Sequence, residues 1–138
     1  MRRAYDFSDL RSFLKVYYEA TQVLLHEQDF YDRTWAYLRK AAAQNVRRVE
    51  VFFDSQTHTG RGVSFKTVVT GIHRAMLDAE RQLGISSVVI LCFLRHLSAE
   101  EAKETLHSSL PYREWIVGVG LESSEVGNPP NKIQGRLR

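Results

Sequence analysis

Residues 116–130 of this chain read IVGVGLESSEVGNPP, and this stretch decides the predicted fold. Its first part, residues 116–121, is apolar or glycine throughout, and the polar run Glu-Ser-Ser-Glu follows directly. A short apolar run that ends in polar side chains is typical of a buried parallel strand, which carries functional groups at its carboxyl end. An ordinary strand followed by a turn gives the same local pattern, so the choice depends on the rest of the chain.

Length and composition are those of one globular domain. The chain has 138 residues, of which 43% are hydrophobic and 25% charged, as expected for a packed core rather than a disordered segment. The formal net charge is +3 and the arginines are scattered, which gives little support to nucleic-acid binding. No apolar run is long enough to span a bilayer, and no signal-peptide core follows Met1. We therefore expect a soluble, cytoplasmic protein that binds neither nucleic acid nor membrane.

The cysteine and histidine content does not indicate a metal site or a catalytic nucleophile. Cys92 is the single cysteine and lies within an apolar run, so we interpret it as a small buried hydrophobic residue. The histidines form no His-x-His pair and no His-Glu-x-x-His motif. His96 is the best placed, at the carboxyl end of a predicted strand, and two others are predicted to be solvated on helices. The five histidines are His26, His58, His73, His96 and His107.

Helical periodicity predicts four helices. The first is capped by Ser8 or Asp9, and the second begins near Asp29. The third, residues 64–83, has the cleanest apolar period, and the fourth, residues 98–109, begins with a Ser-x-x-Glu capping box.

Three strands are predicted between and after these helices, at residues 46–53, 88–94 and 116–121. Alternation in the first strand predicts two sides, one with Val49, Val51 and Phe53 and the other, which is partly charged, with Arg48, Glu50, Phe52 and Asp54. Residues 55–62 are predicted to form a loop. The order strand, helix, strand, helix, strand requires a parallel sheet with right-handed crossovers, here with both crossover helices on one side. An open doubly wound sheet and part of an eight-stranded barrel both fit this order, but the dinucleotide fingerprint and the phosphate-binding loop are absent. The fold class is therefore α/β.

Residue types alone do not identify a reaction. Ser123 and Ser124 belong to no Gly-x-Ser-x-Gly motif and have no histidine and aspartate partners in the same motif. Glu122 and Glu125 have the chemistry for acid–base work, but nothing local indicates a shifted pKa. The residues alone predict a parallel α/β chain with polar groups at the carboxyl end of one strand, and they predict no specific reaction.

Several longer stretches resemble the adenosine/adenine deaminase family. They occur in the family's order and cover nearly everything from about Ser8 to Pro130. The run Leu-Glu-Ser-Ser-Glu is more similar to the adenine deaminase branch than to the Leu-Ala-Gly-Asp-Glu type motif of the adenosine-deaminating branch. The stretches are HEQDF at 26–30, TWAYLRKAAAQNVRRVEVFFDSQTHTGRG at 34–62, GIHRAMLDAERQLGIS at 71–86, ILCFLRHLS at 90–98 and VGVGLESSEVGNPP at 117–130.

The resemblance implies a zinc-bearing (β/α)8 barrel. In that family the metal activates water for attack on the purine C6, and a glutamate shuttles the proton. The family's zinc ligands and its catalytic glutamate match no residue here, because the resemblance places this sequence after the family's first strand and ends it after the fourth. We therefore expect no catalytic residue and no metal ligand in the chain, and zinc only in the complete protein.

One substrate-binding position carries over by resemblance. Ser123 stands where the nucleoside branch has a glycine whose backbone faces the purine, and Glu125 matches the final glutamate of the motif, as a structural hydrogen-bonding residue. Two features depart from the family pattern: Ser55 replaces a usual proline, and the tail after Pro130 lacks the next helix's apolar pattern.

We therefore expect a partial TIM (β/α)8 barrel, with about three parallel strands and their crossover helices, in residues 1–130 and a short polar tail in 131–138. A whole barrel needs about 250 residues. The expected function is that of a purine deaminase fragment, from a hydrolase that converts adenine to hypoxanthine or adenosine to inosine. We expect the isolated chain to be inactive. The alternative is a non-catalytic α/β interaction module that pairs through exposed sheet edges, with itself or with a missing half.

Overall fold

The computed structural model describes residues 7–129, so the predicted tail at 131–138 lies outside the described part. None of the helices in residues 7–129 has the length and apolar content needed to cross a membrane. A 3₁₀ helix, Leu110–Trp115, joins the last α-helix to the last strand. The other elements are α1 Leu10–Thr21, α2 Glu27–Ala43, β1 Arg48–Phe53, α3 Gln56–Thr59, α4 Phe65–Leu83, β2 Ser86–Leu94, α5 Ala99–Ser109 and β3 Ile116–Glu122.

The three strands form one parallel sheet in the order β1-β2-β3, which confirms the predicted topology. Phe52 pairs with Ile90 across the first ladder, and Cys92 pairs with Gly120 across the second. The crossover helices α4 and α5 contact each other, so both lie on the same face of the sheet, as predicted. The first and last residues of each strand lie within two residues of the predicted bounds.

The core lies between this helical face and the sheet. In β1, Val49 and Phe53 are buried, whereas Glu50 and Phe52 point to the other face and are exposed. The alternation follows from the period of two along a strand and confirms the predicted sides. The opposite face of the sheet therefore carries both charged and apolar groups, as the sequence indicated.

Helix α4 supplies most of the helical side of the core. The Ser64 side chain accepts a hydrogen bond from the Thr67 backbone N–H at 3.0 Å, and Gly84 ends the helix in a left-handed conformation with φ of 63°. The prediction of residues 64–83 is therefore correct to within one residue. The buried residues of α4 are Phe65, Val68, Val69, Gly71, Ile72, Ala75, Met76 and Ala79.

Helix α2 packs on α4 and begins at Glu27, earlier than predicted. The cause is the Asp29 carboxylate, which accepts hydrogen bonds from the backbone N–H groups of Leu25 and His26 at 2.9 and 2.8 Å. Asp29 is thus the third residue of the helix, and its side chain caps the helix N-terminus by accepting from the N–H groups that precede it.

Residues 55–62 were predicted as a loop, and this is wrong for Gln56–Thr59, which form the short helix α3. The Asp54 carboxylate accepts a hydrogen bond from the Thr57 backbone N–H at 3.0 Å, and this satisfies a donor in the first turn. The Gln56 side chain then accepts from the Leu94 backbone N–H at 2.8 Å and ties α3 to the end of β2. The contact between Gln56 and Leu94 spans 38 residues, so local turn preference could not reveal it, whereas the contact between Asp54 and Thr57 is a local capping pattern that the loop prediction overlooked.

Candidate functional site

Polar groups gather at the carboxyl edge of the sheet, where the three parallel strands end. Asp54 follows β1, Arg95 and His96 follow β2, and the polar run 122–125 ends β3. Parallel strands bring their carboxyl ends to one edge, which is where sites in this architecture are built. This edge is the candidate functional site.

Ser123 lies at the centre of a hydrogen-bonded group at this edge. Its hydroxyl accepts a hydrogen bond from the Tyr18 hydroxyl at 3.2 Å, and His96 Nδ1 lies 3.2 Å from the same oxygen. The backbone of Ser123 has φ of 80°, a left-handed conformation that costs a residue with a Cβ roughly 1–2 kcal/mol. Such strain persists only where surrounding contacts hold it, and it occurs often at functional sites.

Half-buried Glu122 and fully buried Cys92 form a hydrogen-bonded pair on the face of the sheet opposite the helices. Burial raises the pKa of the Glu122 carboxyl; the Cys92 thiol donates a hydrogen bond that opposes this, and the Asp54 carboxylate adds to the rise. Burial also raises the pKa of the Cys92 thiol to about 12. Because the thiolate is the nucleophilic form, Cys92 is inert, in keeping with its interpretation as a buried hydrophobic residue.

Arg95 and Glu125 connect the loops after β2 and β3. Arg95 Nη2 lies 2.8 Å from Glu125 Oε1, and the Arg95 backbone N–H donates to the Glu122 carbonyl at 3.0 Å. The Arg95 side chain is only 13% exposed, whereas that of Glu125 is 73% exposed. Glu125 thus forms an ion pair with Arg95, and its structural role in the motif stays a prediction.

A cavity of about 590 Å³ opens beside this loop. Helix α1 and the residue before it form one wall through Asp9, Leu10 and Arg11, and the strand ends form the other. Ser123 and Arg95 both border the cavity. A ligand in it would contact the left-handed residue Ser123, the two cations Arg11 and Arg95, and the start of α1.

The histidines do not form a metal site in the described part of the chain. Within residues 7–129 no three His, Cys, Asp or Glu side chains are grouped as metal ligands would be. His58 is buried on α3 rather than placed in a loop, and His73 is stacked on Trp115 with ring centroids 3.8 Å apart rather than solvated. His107 is exposed, as predicted. His96 is exposed and contacts Ser123. The side chains of residues 7–129 therefore do not fit a zinc ion.

Two residues of this edge, Tyr18 and Asp54, were not predicted from the sequence as part of a site. Tyr18 reaches Ser123 from a helix 105 residues earlier in the chain, and no local motif marks it. Asp54 was assigned only to a face of β1, but its charge acts on Glu122, Cys92 and Tyr18. The signal for Asp54 was its position directly after a strand, the same signal that identified the polar run after β3.

The fold and the edge together define the class: part of a parallel (β/α)8 barrel with polar groups at the carboxyl ends of its strands. A family model described as adenosine deaminase matches residues 1–138. The chain therefore belongs to the adenosine deaminase family.

Relatives within the family carry the name adenine deaminase. That of Chlorobium phaeobacteroides is 59% identical over 133 residues, which are 96% of this chain and 40% of that protein. That of Hahella chejuensis is 60% identical over 134 residues, 97% of this chain and 40% of that protein. The chain thus spans about 40% of the length of these relatives.

Solved structures confirm the partial barrel. The crystal structure of adenine deaminase from Arthrobacter aurescens has a TM-score of 0.93 with 46% identity, over 97% of this chain and 41% of that one. An amidohydrolase from Burkholderia ambifaria, solved with bound zinc, has a TM-score of 0.76 with 27% identity, over 82% of this chain and 32% of that one. The resemblance identified from the sequence is thereby confirmed.

Proposed function

We propose that this chain forms the second to fourth strands of an adenine deaminase barrel and contributes one wall of its purine site. In the reaction, water adds at the purine C6 and ammonia leaves, so that adenine becomes hypoxanthine. The observation that carries the proposal is the match to adenine deaminases in both sequence, at 59% identity, and structure, at a TM-score of 0.93.

In this proposal Ser123 contacts the purine. It borders the cavity at the strand ends, and its left-handed backbone presents the start of the polar loop to that space. Arg95 fixes the loop through its ion pair with Glu125. The chain's own residues therefore bind and orient the base.

The metal and the acid–base groups belong, in this proposal, to parts of the complete protein that this sequence does not include. Residues 7–129 offer no group of ligands for zinc. Stabilising a metal-bound hydroxide takes three or four ligands and a proton shuttle. The isolated chain should then release no ammonia from adenine or adenosine, with or without added zinc. Chelator-sensitive ammonia release above a no-protein control would contradict this.

A barrel chimera tests the function directly. It is the Chlorobium phaeobacteroides adenine deaminase with its matching segment replaced by this chain's, and the unaltered relative is the control. We expect the chimera to bind zinc and deaminate adenine with kcat/KM within about tenfold of the control, because the segments are 59% identical. A folded, zinc-loaded chimera that deaminates adenosine but not adenine would assign this segment to the nucleoside. One that acts on neither would refute the proposed function.

The second candidate function is an interaction module. In the described part of the chain β1 and β3 each pair with β2 alone, and Val117 and Val119 on β3 are 63% and 65% exposed. Unpaired strand edges are templates for another strand. This candidate predicts a partner-bound chain without activity in any barrel context, so the chimera also separates it from the first.

A further inference from the structure

Two residues outside the family motif converge on the Ser123 side chain. Tyr18 approaches from α1 and donates to the Ser123 hydroxyl at 3.2 Å. His96 approaches from the loop after β2 and places Nδ1 at 3.2 Å from the same oxygen. The hydroxyl of Ser123 therefore joins three segments that are far apart in sequence.

The chemistry of the group allows both contacts at once. A serine hydroxyl has one proton to donate and two lone pairs to accept with, so it can accept from Tyr18 while it donates to, or accepts from, His96. Burial raises the pKa of the Tyr18 hydroxyl, so this group keeps its proton and remains a donor at neutral pH. Hydrogen bonds linked in a chain strengthen one another.

The conformation of Ser123 explains why such support is needed. At φ of 80° the backbone is in a region that glycine adopts freely and serine does not. Because residue 123 is a serine and not a glycine, its left-handed backbone is strained, and the side-chain contacts must offset that strain. Alanine at position 123 would keep the strain and lose both hydrogen bonds, whereas glycine would lose the bonds and the strain together.

Helix α1 is placed by the same contact. Its carboxyl end is held by Arg61, whose guanidinium donates to the carbonyls of Thr21, Gln22 and Leu24 at 3.3, 2.9 and 3.2 Å. Tyr18 lies one turn before that end, and its hydroxyl fixes the helix to the loop after β3. The beginning of α1 borders the cavity beside Ser123.

We propose that Tyr18 and His96 are positioning residues that hold Ser123 in its left-handed conformation and thereby fix the wall of the purine site. That a purine occupies this site rests on the proposed function. The contacts of Tyr18 and His96 with Ser123 are those of the structure. Neither residue touches the reacting atoms. Each acts through the Ser123 hydroxyl.

The test uses the barrel chimera with adenine as substrate. Tyr18→Phe removes one hydroxyl and should raise KM about tenfold, with kcat changed less than threefold, because a lost hydrogen bond in the site wall weakens binding. Ser123→Ala removes the contacts with both Tyr18 and His96 and should raise KM at least as much, and the double variant should be no worse than Ser123→Ala alone, since the Tyr18 contact is already lost there. Tyr37→Phe, on α2 and away from Ser123, is the control and should change KM less than twofold.

His96 offers a rescue that a merely structural role would not show. Asn places a polar atom near the position of Nδ1, whereas Gln places one near Nε2. His96→Asn should therefore retain KM within about threefold, and His96→Gln should raise it about as much as Tyr18→Phe does. Equal effects of Asn and Gln would overturn the role given to His96.

Amide hydrogen exchange separates this inference from the proposed function. Tyr18→Phe should speed exchange about tenfold in both α1 and the loop 123–127, and leave β2 unchanged, because the two segments share the contact. Unchanged exchange, or additive effects of Tyr18→Phe and Ser123→Ala on KM, would overturn the inference while adenine deamination stands. A chimera without deamination would overturn the proposed function, and the exchange data alone would then decide whether Tyr18 holds Ser123.

Discussion

A Cβ atom on Gly120 would lie 3.0 Å from the Sγ of Cys92, the residue paired with it across the β2–β3 ladder. Cys92 is fully buried, and the same Cβ would also come within 4.0 Å of Ile90 and Phe52. The absence of a side chain at Gly120 therefore leaves room for Cys92, Ile90 and Phe52 on the face of the sheet opposite the helices. Gly118, two residues earlier, has open space where its Cβ would be.

Gly120→Ala should lower the free energy of unfolding by about 1–2 kcal/mol, because an added methyl group overpacks this layer. Gly118→Ala is the matched control and should be neutral, or stabilising by up to about 0.5 kcal/mol, since alanine restricts the unfolded chain. Urea unfolding followed by tryptophan fluorescence measures both. In a Cys92→Ala background the cost of Gly120→Ala should shrink, and an undiminished cost would contradict this account of the contact.

Gly71→Ala should be more damaging. Gly71 lies where α4 crosses α2, and its Cβ would clash with the backbone carbonyl of Glu27 and lie 2.8 Å from the Cβ of Phe30. Backbone atoms cannot rotate away, so the helices would have to separate, at a cost of about 2–3 kcal/mol. Gly60→Ala is the control, because its Cβ would make an ordinary contact of 3.8 Å with the Gln56 carbonyl. Equal midpoints of urea unfolding for the two variants would refute the close crossing.

His58 should make the stability of the chain pH-dependent. The side chain is 7% exposed and packs edge-to-face on Phe30, and Arg61 Nη2 lies 2.9 Å from its Nδ1. Arginine can only donate, so Nδ1 carries the lone pair and the ring is neutral. Burial lowers the pKa of His58 from 6.5 to about 4.

The direction of the effect follows from that shift. As the pH falls below 6.5 the unfolded chain takes up a proton at His58 that the folded chain does not bind, so unfolding becomes more favourable. The neutral His58 side chain contributes about 3 kcal/mol to the free energy of unfolding, and this contribution is fully present above pH 6.5 and is lost progressively toward pH 4. His58→Gln should flatten the dependence of the unfolding free energy on pH across this interval. His107→Gln, at an exposed position on α5, should leave the slope unchanged, and equal slopes in all three proteins would contradict the prediction.

The exposed edges of β1 and β3 predict self-association of the isolated chain. Val119→Lys places a charge on the edge strand and should lower the average mass toward that of a single chain, because charged residues oppose edge pairing. Val23→Lys is the control, at a position 72% exposed in the connection before α2. Light scattering over a concentration series measures the mass. A chain that is already monomeric, with its outer strands protected from amide exchange, would contradict the prediction.

The sequence by itself determined the elements with strong periodicity. The residues of α4, its serine cap and its terminal Gly84 are local signals, so the helix was placed to within one residue. The alternation of Val49, Glu50 and Phe53 likewise fixed which face of β1 is buried. The order of strands and helices then fixed the parallel sheet, because only crossovers connect parallel strands.

Only the tertiary structure decided how the strand ends are joined. Gln56 on α3 accepts a hydrogen bond from the Leu94 backbone N–H at the end of β2, 38 residues away, and this contact is not visible as a turn preference. The hydrogen bond from Tyr18 to Ser123 spans 105 residues. Periodicity reports which face of an element is buried, whereas contacts of this kind depend on strand register and helix placement. Those are set by how all the elements pack together, and no single stretch of sequence contains them.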